Sequence, residues 1–315
     1  VVAESTIAAD RPGVLHERQR LDTGNFFDTD DAPRRTDPLQ ATLAEVRELG
    51  LEPYIADFEM QGYTVLPPEK VSSPEFIERL RTTILDVAER RDGVRPDLTG
   101  ATEQGDNAQG CQQFFLLFED PVFQQAVVNP TMLALAHYAL GRSAVLYNCV
   151  SLMKGPGGDG LALHADNLLV PPPFPQYANN VNFTWCLTDY NVANGGTCFV
   201  PGSHRYCRPP EPGEGYSERV VPEAPAGSLL MWHSNTWHGS VPKQTTGLRM
   251  NLVTTMCRSY VRPQELMKER VTQEILDANP PAFAQVVGAN VPYGYGQEGP
   301  DYSNIVNWPG KSQWD

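Results

Sequence analysis

From about residue 143 the texture of the chain changes. Short β-prone runs at 144–153, 181–187, 197–200, 228–232, 237–241 and 248–256 alternate with turns rich in glycine, proline and asparagine. Helical patterns come before these runs, so helices precede strands along the chain. That order, with short strands spaced by turns, points to an antiparallel double-sheet core of jelly-roll type with helices on one side. The expected class is therefore mainly β with flanking helices. At 315 residues with 41% hydrophobic side chains, the chain can build one sizeable core of this kind.

The first 36 residues are polar, charged and nearly free of periodicity, and read as a flexible arm. A helix starts at Asp37-Pro38 and stops at Gly50, with Leu39, Leu43, Val46 and Leu49 on one stripe. A second short helix follows, ended by Gly62, and a strand runs through Leu66. Ser73-Pro74 opens a longer helix carrying Phe76, Ile77, Leu80, Ile84 and Val87 on one side. Residues 92–111 read as a loop. Asn129-Pro130 caps another helix that ends at Gly141. Residues 262–279 look helical again, and the chain after Pro280 looks irregular. These boundaries make 37–291 one domain and 292–315 an irregular tail.

A net charge of −14 repels nucleic acid and anionic membranes, so neither is an expected partner. No apolar run approaches the ~20 residues that span a bilayer, and the N-terminal stretch lacks a basic region followed by an apolar one, so no secretory signal is expected. The six cysteines, Cys111, Cys149, Cys186, Cys198, Cys207 and Cys257, form no CxxC pair. They read as buried free thiols in a reducing, cytoplasmic setting. The expected state is a monomer or homodimer acting on a small molecule.

The chemistry lies in LALHADN. His164 and Asp166 stand two apart, and on an extended segment residues i and i+2 point to one side. One imidazole and one carboxylate can thus reach one ion from one piece of chain. His238, in TWHGS, stands in a later β-prone run that can supply a third ligand. Two histidines and one carboxylate on one octahedral face leave three positions open, the arrangement of non-haem iron(II) oxygenases. Arg249 lies eleven residues after His238 and offers a planar, permanently charged fork for the far carboxylate of a dicarboxylic co-substrate. Ser240, two residues after His238, shares its face and can add a hydroxyl.

The HxD pair, the distal histidine in HGS, the later arginine, and NGGTCFVPGSH between them resemble the phytanoyl-CoA dioxygenase family. GYTVL near residue 63 resembles that family's N-terminal strand, and the likeness spans roughly residues 55–257. It implies a double-stranded β-helix (jelly-roll, cupin-like) core, iron(II) as metal, 2-oxoglutarate as co-substrate, dioxygen as oxidant and ascorbate as a reductant in vitro. It implies His164, Asp166 and His238 as metal ligands and as the catalytic centre. Arg249 and Ser240 would hold the distal carboxylate of 2-oxoglutarate. An upstream polar residue near the co-substrate matches Gln113, with Gln112 as rival. The implied activity is oxidation, typically hydroxylation, of a natural product or metabolite, with 2-oxoglutarate converted to succinate and carbon dioxide. Asp166 stands where halogenating relatives carry a small residue, which argues against halide transfer. Gly227-Ser228 replaces a frequent Gly-Asp and should affect a turn more than the chemistry. The acidic charge and the lack of a basic cluster argue against a fatty acyl-CoA substrate, which stays an alternative. So do a non-catalytic cupin-like binding protein and a metal-dependent isomerase or hydrolase on the same barrel.

His233 should face the opposite side of its strand from a ligand and be structural. His204, in PGSH, reads as a turn residue, His137 as packing, and His16 has no role. Lys154 reads as a solvated lysine at a strand end, with contact to substrate or co-substrate as the other reading. Trp185, Trp232 and Trp237 read as core aromatics, any of which can line the pocket. The Pro-rich stretch 167–177 reads equally as a lid or as a rigid connection.

Overall fold

A computed structural model describes residues 38–102, 111–157, 160–167, 169–291, 297 and 299. The arm at 1–36 with His16, and the tail at 292–315 apart from residues 297 and 299, lie outside the described residues.

Local signals start and stop the helices as physical chemistry requires. Helix α1 (Pro38–Glu48) and helix α2 (Glu52–Gln61) precede strand β1 (Tyr63–Leu66). Gly62 closes α2 at φ +84°, its N–H donating to the Phe58 carbonyl at 2.8 Å. A Cβ there would sit 2.5 Å from Thr236 Oγ1, so glycine also lets the helix end approach the later chain. Short α3 (Pro68–Val71) leads to α4 (Pro74–Asp92), capped by the Ser73 hydroxyl, which accepts from the Phe76 N–H at 3.2 Å. Next come β2 (Gln112–Gln113), α5 (Pro121–Val127) and α6 (Pro130–Leu140). Asp120 and Asn129 cap the last two through their side-chain oxygens. Helix α5 was not expected from the sequence, although Asp120-Pro121 is the same start signal as Asn129-Pro130. No helix among the described residues is long and apolar enough to cross a membrane.

The strands follow: β3 (Val145–Leu152), β4 (Asn180–Cys186), β5 (Thr197–Phe199), β6 (Leu229–His233), β7 (His238–Ser240) and β8 (Asn251–Cys257). Six of the eight form one antiparallel sheet in the order β1-β6-β4-β8-β3-β2, and β5 pairs with β7 in a smaller one. Side chains alternate across β4. Val181, Phe183 and Trp185 point to the helices and join one large apolar cluster that runs from Val46 to Val287. Asn182 and Cys186 point the other way, toward the small sheet. There Tyr63 stacks on Phe199 at 4.4 Å, closing the barrel between the two sheets. The expected double-stranded β-helix with helices on one side is the observed architecture.

Two expectations for the C-terminal part need correction. Residues 262–279 hold only a 3-10 turn (Met267–Glu269) and short α7 (Gln273–Asp277). Glu265 explains the loss of regularity. Its carboxylate accepts from the backbone N–H of Phe115 (2.6 Å) and Cys149 (2.8 Å), and its own N–H donates to the Tyr147 carbonyl at 3.0 Å. These bonds pull the segment across the irregular step in β3 between Leu146 and Asn148. The chain after Pro280, expected to be irregular, begins with α8 (Pro281–Val286), whose Phe283 and Val286 are buried in the core.

Trp185 is fully buried on the helix side of the sheet, edge-on to Phe76 at 5.5 Å. Trp185→Ala should lower the unfolding free energy by ~3–5 kcal/mol, read as a lower urea midpoint. An unchanged midpoint would mean that the helix layer does not depend on this contact.

Candidate metal centre

His164 and His238 come from distant parts of the chain and meet as an antiparallel bridge. Each backbone N–H donates to the other's carbonyl at 2.9 Å. Directly paired residues project to the same face, and the two imidazole centroids stand 4.3 Å apart. Gly239 makes this approach possible, since a Cβ there would lie 2.4 Å from the Leu161 carbonyl oxygen. Asp166 follows His164 by two positions, and its N–H donates to the Ser234 carbonyl at 2.8 Å.

The three side chains converge. Asp166 Oδ1 is 3.5 Å from His164 Nε2, and Asp166 Oδ2 is 3.3 Å from His238 Nε2. One ligand atom from each lies within 4.8 Å of the others, and no other such group of three is found among the described residues. The tautomers follow from the second ring nitrogens. His164 Nδ1 faces the Ala162 carbonyl and His238 Nδ1 the Thr236 carbonyl, both at 2.9 Å. A carbonyl only accepts, so each Nδ1 carries the proton and each Nε2 turns a lone pair inward. Two imidazole lone pairs and a carboxylate oxygen are the donor set that a divalent iron accepts.

Polar neighbours hold the carboxylate. Asn182 Nδ2 donates to Asp166 Oδ2 at 2.7 Å, and Thr255 Oγ1 donates to Asn182 Oδ1 at 2.7 Å. The threonine thereby sets which end of the amide meets the aspartate. Burial pushes Asp166 up, but the two imidazoles and the Asn182 amide outweigh it and bring it down to about 2. Burial also drives His238 down, with Asp166 opposing. For His164, burial acts downward and the Asp166 carboxylate overrides it, so this imidazole moves up. Trp232 and Phe199 pack at 5.1 and 6.3 Å from the His238 ring and cover its inner side.

Arg249 lies deep in the same barrel, 7% exposed. Its guanidinium stands 4.7 Å from the centroid of the Tyr190 ring, and Nη1 donates to the Gly195 carbonyl at 2.9 Å. Nε is buried without a partner, and no carboxylate among the described residues pairs with the group. Ser240 stands two positions after His238 on β7. Lys154 is not the solvated lysine expected from its place at a strand end. It is 2% exposed, bridged to Arg249, and donates to Ser240 Oγ at 2.9 Å. The burial arises because Arg249 and Lys154 pair across the step where the chain passes from the small sheet into β8.

Gln113 is not brought to the triad. Its register partner is Ser151, and its amide donates to Asp92 Oδ2 at 2.5 Å on the helix side. Gln112, paired with Leu152, occupies the opposite face of β2. His233 points to the helices, 6.0 Å from the Phe58 ring, and its Nδ1 accepts from the Asn235 N–H. His204 is buried in the turn after β5, where Ser203 Oγ accepts from the Trp237 N–H. His137, expected as packing, instead meets Glu45 at 2.9 Å. Trp237 joins an apolar cluster with Leu163 and Phe174, and its indole donates to the Arg208 carbonyl. The Pro-rich stretch is pinned where Asn235 Nδ2 donates to the Pro175 carbonyl and Phe174 N–H to the Cys207 carbonyl. Gly227-Ser228 forms a turn with Gly227 at φ +96°. All six cysteines are free thiols, and Cys207 alone is not buried.

Sequence reasoning missed Asn182 and Thr255. The alternation of Asn180, Asn182 and Thr184 with apolar residues in β4 marks a polar inner face, but not its partner. Asn182→Leu should weaken Mn(II) or Fe(II) binding by about 10- to 100-fold, read by anaerobic calorimetry. Parent-like affinity would remove the amide from the metal site.

A family model for phytanoyl-CoA dioxygenase (PhyH) matches residues 58–251. Dioxygenase af480 of Aspergillus fumigatus is 25% identical over 243 residues, 76% of this chain and 77% of that protein. Dioxygenase FUM3 of Gibberella moniliformis is 31% identical over 135 residues, 41% of each chain. Among solved structures, HygX from Streptomyces hygroscopicus with nickel and 2-oxoglutarate bound superposes with a TM-score of 0.55 at 19% identity, covering 68% of this chain and 89% of that one. This last likeness is one of fold. The family-model match over residues 58–251, more than half of the chain, places it in the phytanoyl-CoA dioxygenase family.

Proposed function

We propose that His164, Asp166 and His238 hold iron(II), that Arg249 and Ser240 hold 2-oxoglutarate, and that the chain hydroxylates a small organic substrate. The family gives the enzyme class, a 2-oxoglutarate-dependent dioxygenase. The residue roles and the outcome are the proposal. The observation that carries it is Arg249, a buried guanidinium with no carboxylate partner among the described residues, in the same barrel as a ready three-ligand cluster. An uncompensated buried charge is strongly destabilising. A dicarboxylate with one end at the triad and the other at Arg249 supplies the missing partner. Ser240 is displaced from His238 by about 7 Å along β7, the scale of a five-carbon diacid.

Bound iron would supply dioxygen activation coupled to loss of carbon dioxide from the 2-oxo acid. In the balance, one oxygen atom of dioxygen enters the substrate C–H bond and the other enters succinate. The protein's share is positional. Asp166 and the two Nε2 atoms would hold the metal and leave it accessible to co-substrate and oxidant. Arg249 fixes the far carboxylate and thus the direction of the 2-oxo end. Trp232 and Phe199 pack against the His238 ring and keep water off that side of the site. Asp166 fills the position that a halide would need, which favours oxygen transfer.

Purified protein with iron(II), ascorbate, 2-oxoglutarate and a panel of small organic substrates should release succinate in step with hydroxylated product. His164→Ala and Asp166→Ala should each abolish metal binding and turnover, and retained activity in either would overturn the ligand assignment. Arg249→Ala should raise the 2-oxoglutarate KM by at least about tenfold. An unchanged KM would remove its role.

A further inference from the structure

We propose that Lys154 is a positioning residue for the 2-oxoglutarate anchor, acting through Ser240 to turn that hydroxyl's single proton toward the distal carboxylate. The inference rests on the reading that Ser240 and Arg249 hold that carboxylate.

The argument is a count of lone pairs. A serine hydroxyl has two acceptor lone pairs and one O–H. Ser240 Oγ accepts from Lys154 Nζ at 2.9 Å and from the Leu161 backbone N–H at 2.9 Å. Both acceptor positions are taken, so the hydroxyl has only its proton left to offer. An ionised carboxylate accepts and never donates, and is therefore the matching ligand. An amide or ammonium donor at the same place would find no lone pair.

The backbone holds the lysine to this task. Lys154 and Arg249 exchange both backbone hydrogen bonds at 2.8 Å, so their side chains leave the paired chains on one face. At 2% and 7% exposure, both cationic heads are withdrawn from water. Burying an ammonium is expensive unless hydrogen bonds compensate, and one of those bonds goes to Ser240. The lysine thus acts on the anchor by orienting the Ser240 hydroxyl. Removing it frees a lone pair on Ser240, and the hydroxyl can then accept from solvent or guanidinium instead of donating to the ligand.

The test is a double-mutant cycle on 2-oxoglutarate binding to Mn(II)-loaded protein, read by calorimetry without turnover. Lys154→Met should weaken 2-oxoglutarate binding about tenfold while leaving Mn(II) affinity in the absence of 2-oxoglutarate unchanged. Lys154→Arg should recover part of the loss. In the pair with Ser240→Ala, the double variant should bind no more weakly than Ser240→Ala alone, because the lysine acts through that hydroxyl. Additive losses would overturn the proposal in favour of direct contact. Parent-like binding by Lys154→Met would also overturn it, as would an equal fall in Mn(II) affinity, which marks general damage. If Ser240→Ala and Arg249→Ala both bind 2-oxoglutarate like the parent, the anchor reading itself fails, an outcome distinct from a silent lysine.

Discussion

Two reciprocal backbone hydrogen bonds between His164 and His238 carry the arrangement of the site. They bring the HxD segment alongside β7 in antiparallel register, and every other feature of the centre follows from that register. A slip of one residue by either segment would turn its imidazole to the opposite face. Gly239 keeps the register available by letting two backbones touch where a side chain would separate them. Asp166 then arrives by alternation alone, two positions along an extended chain. Ser240 arrives by the same alternation on β7, displaced toward Arg249.

The large sheet separates stability from chemistry by its two faces. On β4, Phe183 and Trp185 face the helices in an apolar cluster, and Asn182 faces the barrel and holds Asp166. Burying Asn182 and Thr255 is tolerable because each is hydrogen-bonded, in a chain that ends on a carboxylate. The outer face supplies the free energy that fixes the strands. The inner face uses that rigidity to hold polar atoms at distances that loops alone would not keep.

Much of this was legible along the chain. The strand runs were visible from β-prone residues between turn formers, and the helix starts from caps before proline. The HxD pair announced its shared face through spacing. The failures have physical causes. Residues 262–279 carry helix-compatible residues, but Glu265 spends its carboxylate on distant backbone N–H groups and the segment follows those bonds. Lys154 sits at a strand end, where lysine is normally solvated, and only the pairing with Arg249 buries it. Gln113 and Gln112 differ by one position, and the register with Ser151 and Leu152 decides which of them faces the helices.

By itself the sequence determined the class of fold and singled out His164, Asp166 and His238 as one candidate donor set, with Arg249 as a cation beyond them. Those properties depend on residue type and on short-range periodicity, which are local. The tertiary structure alone decided which ring nitrogens turn toward Asp166, which amide holds Asp166, and where Lys154 spends one of its hydrogen bonds. Each of these depends on a partner far away in the chain, and a hydrogen bond has direction as well as chemistry. The triad was therefore readable as a set of residues, whereas its proton positions became readable only once β7 and the HxD segment lay side by side.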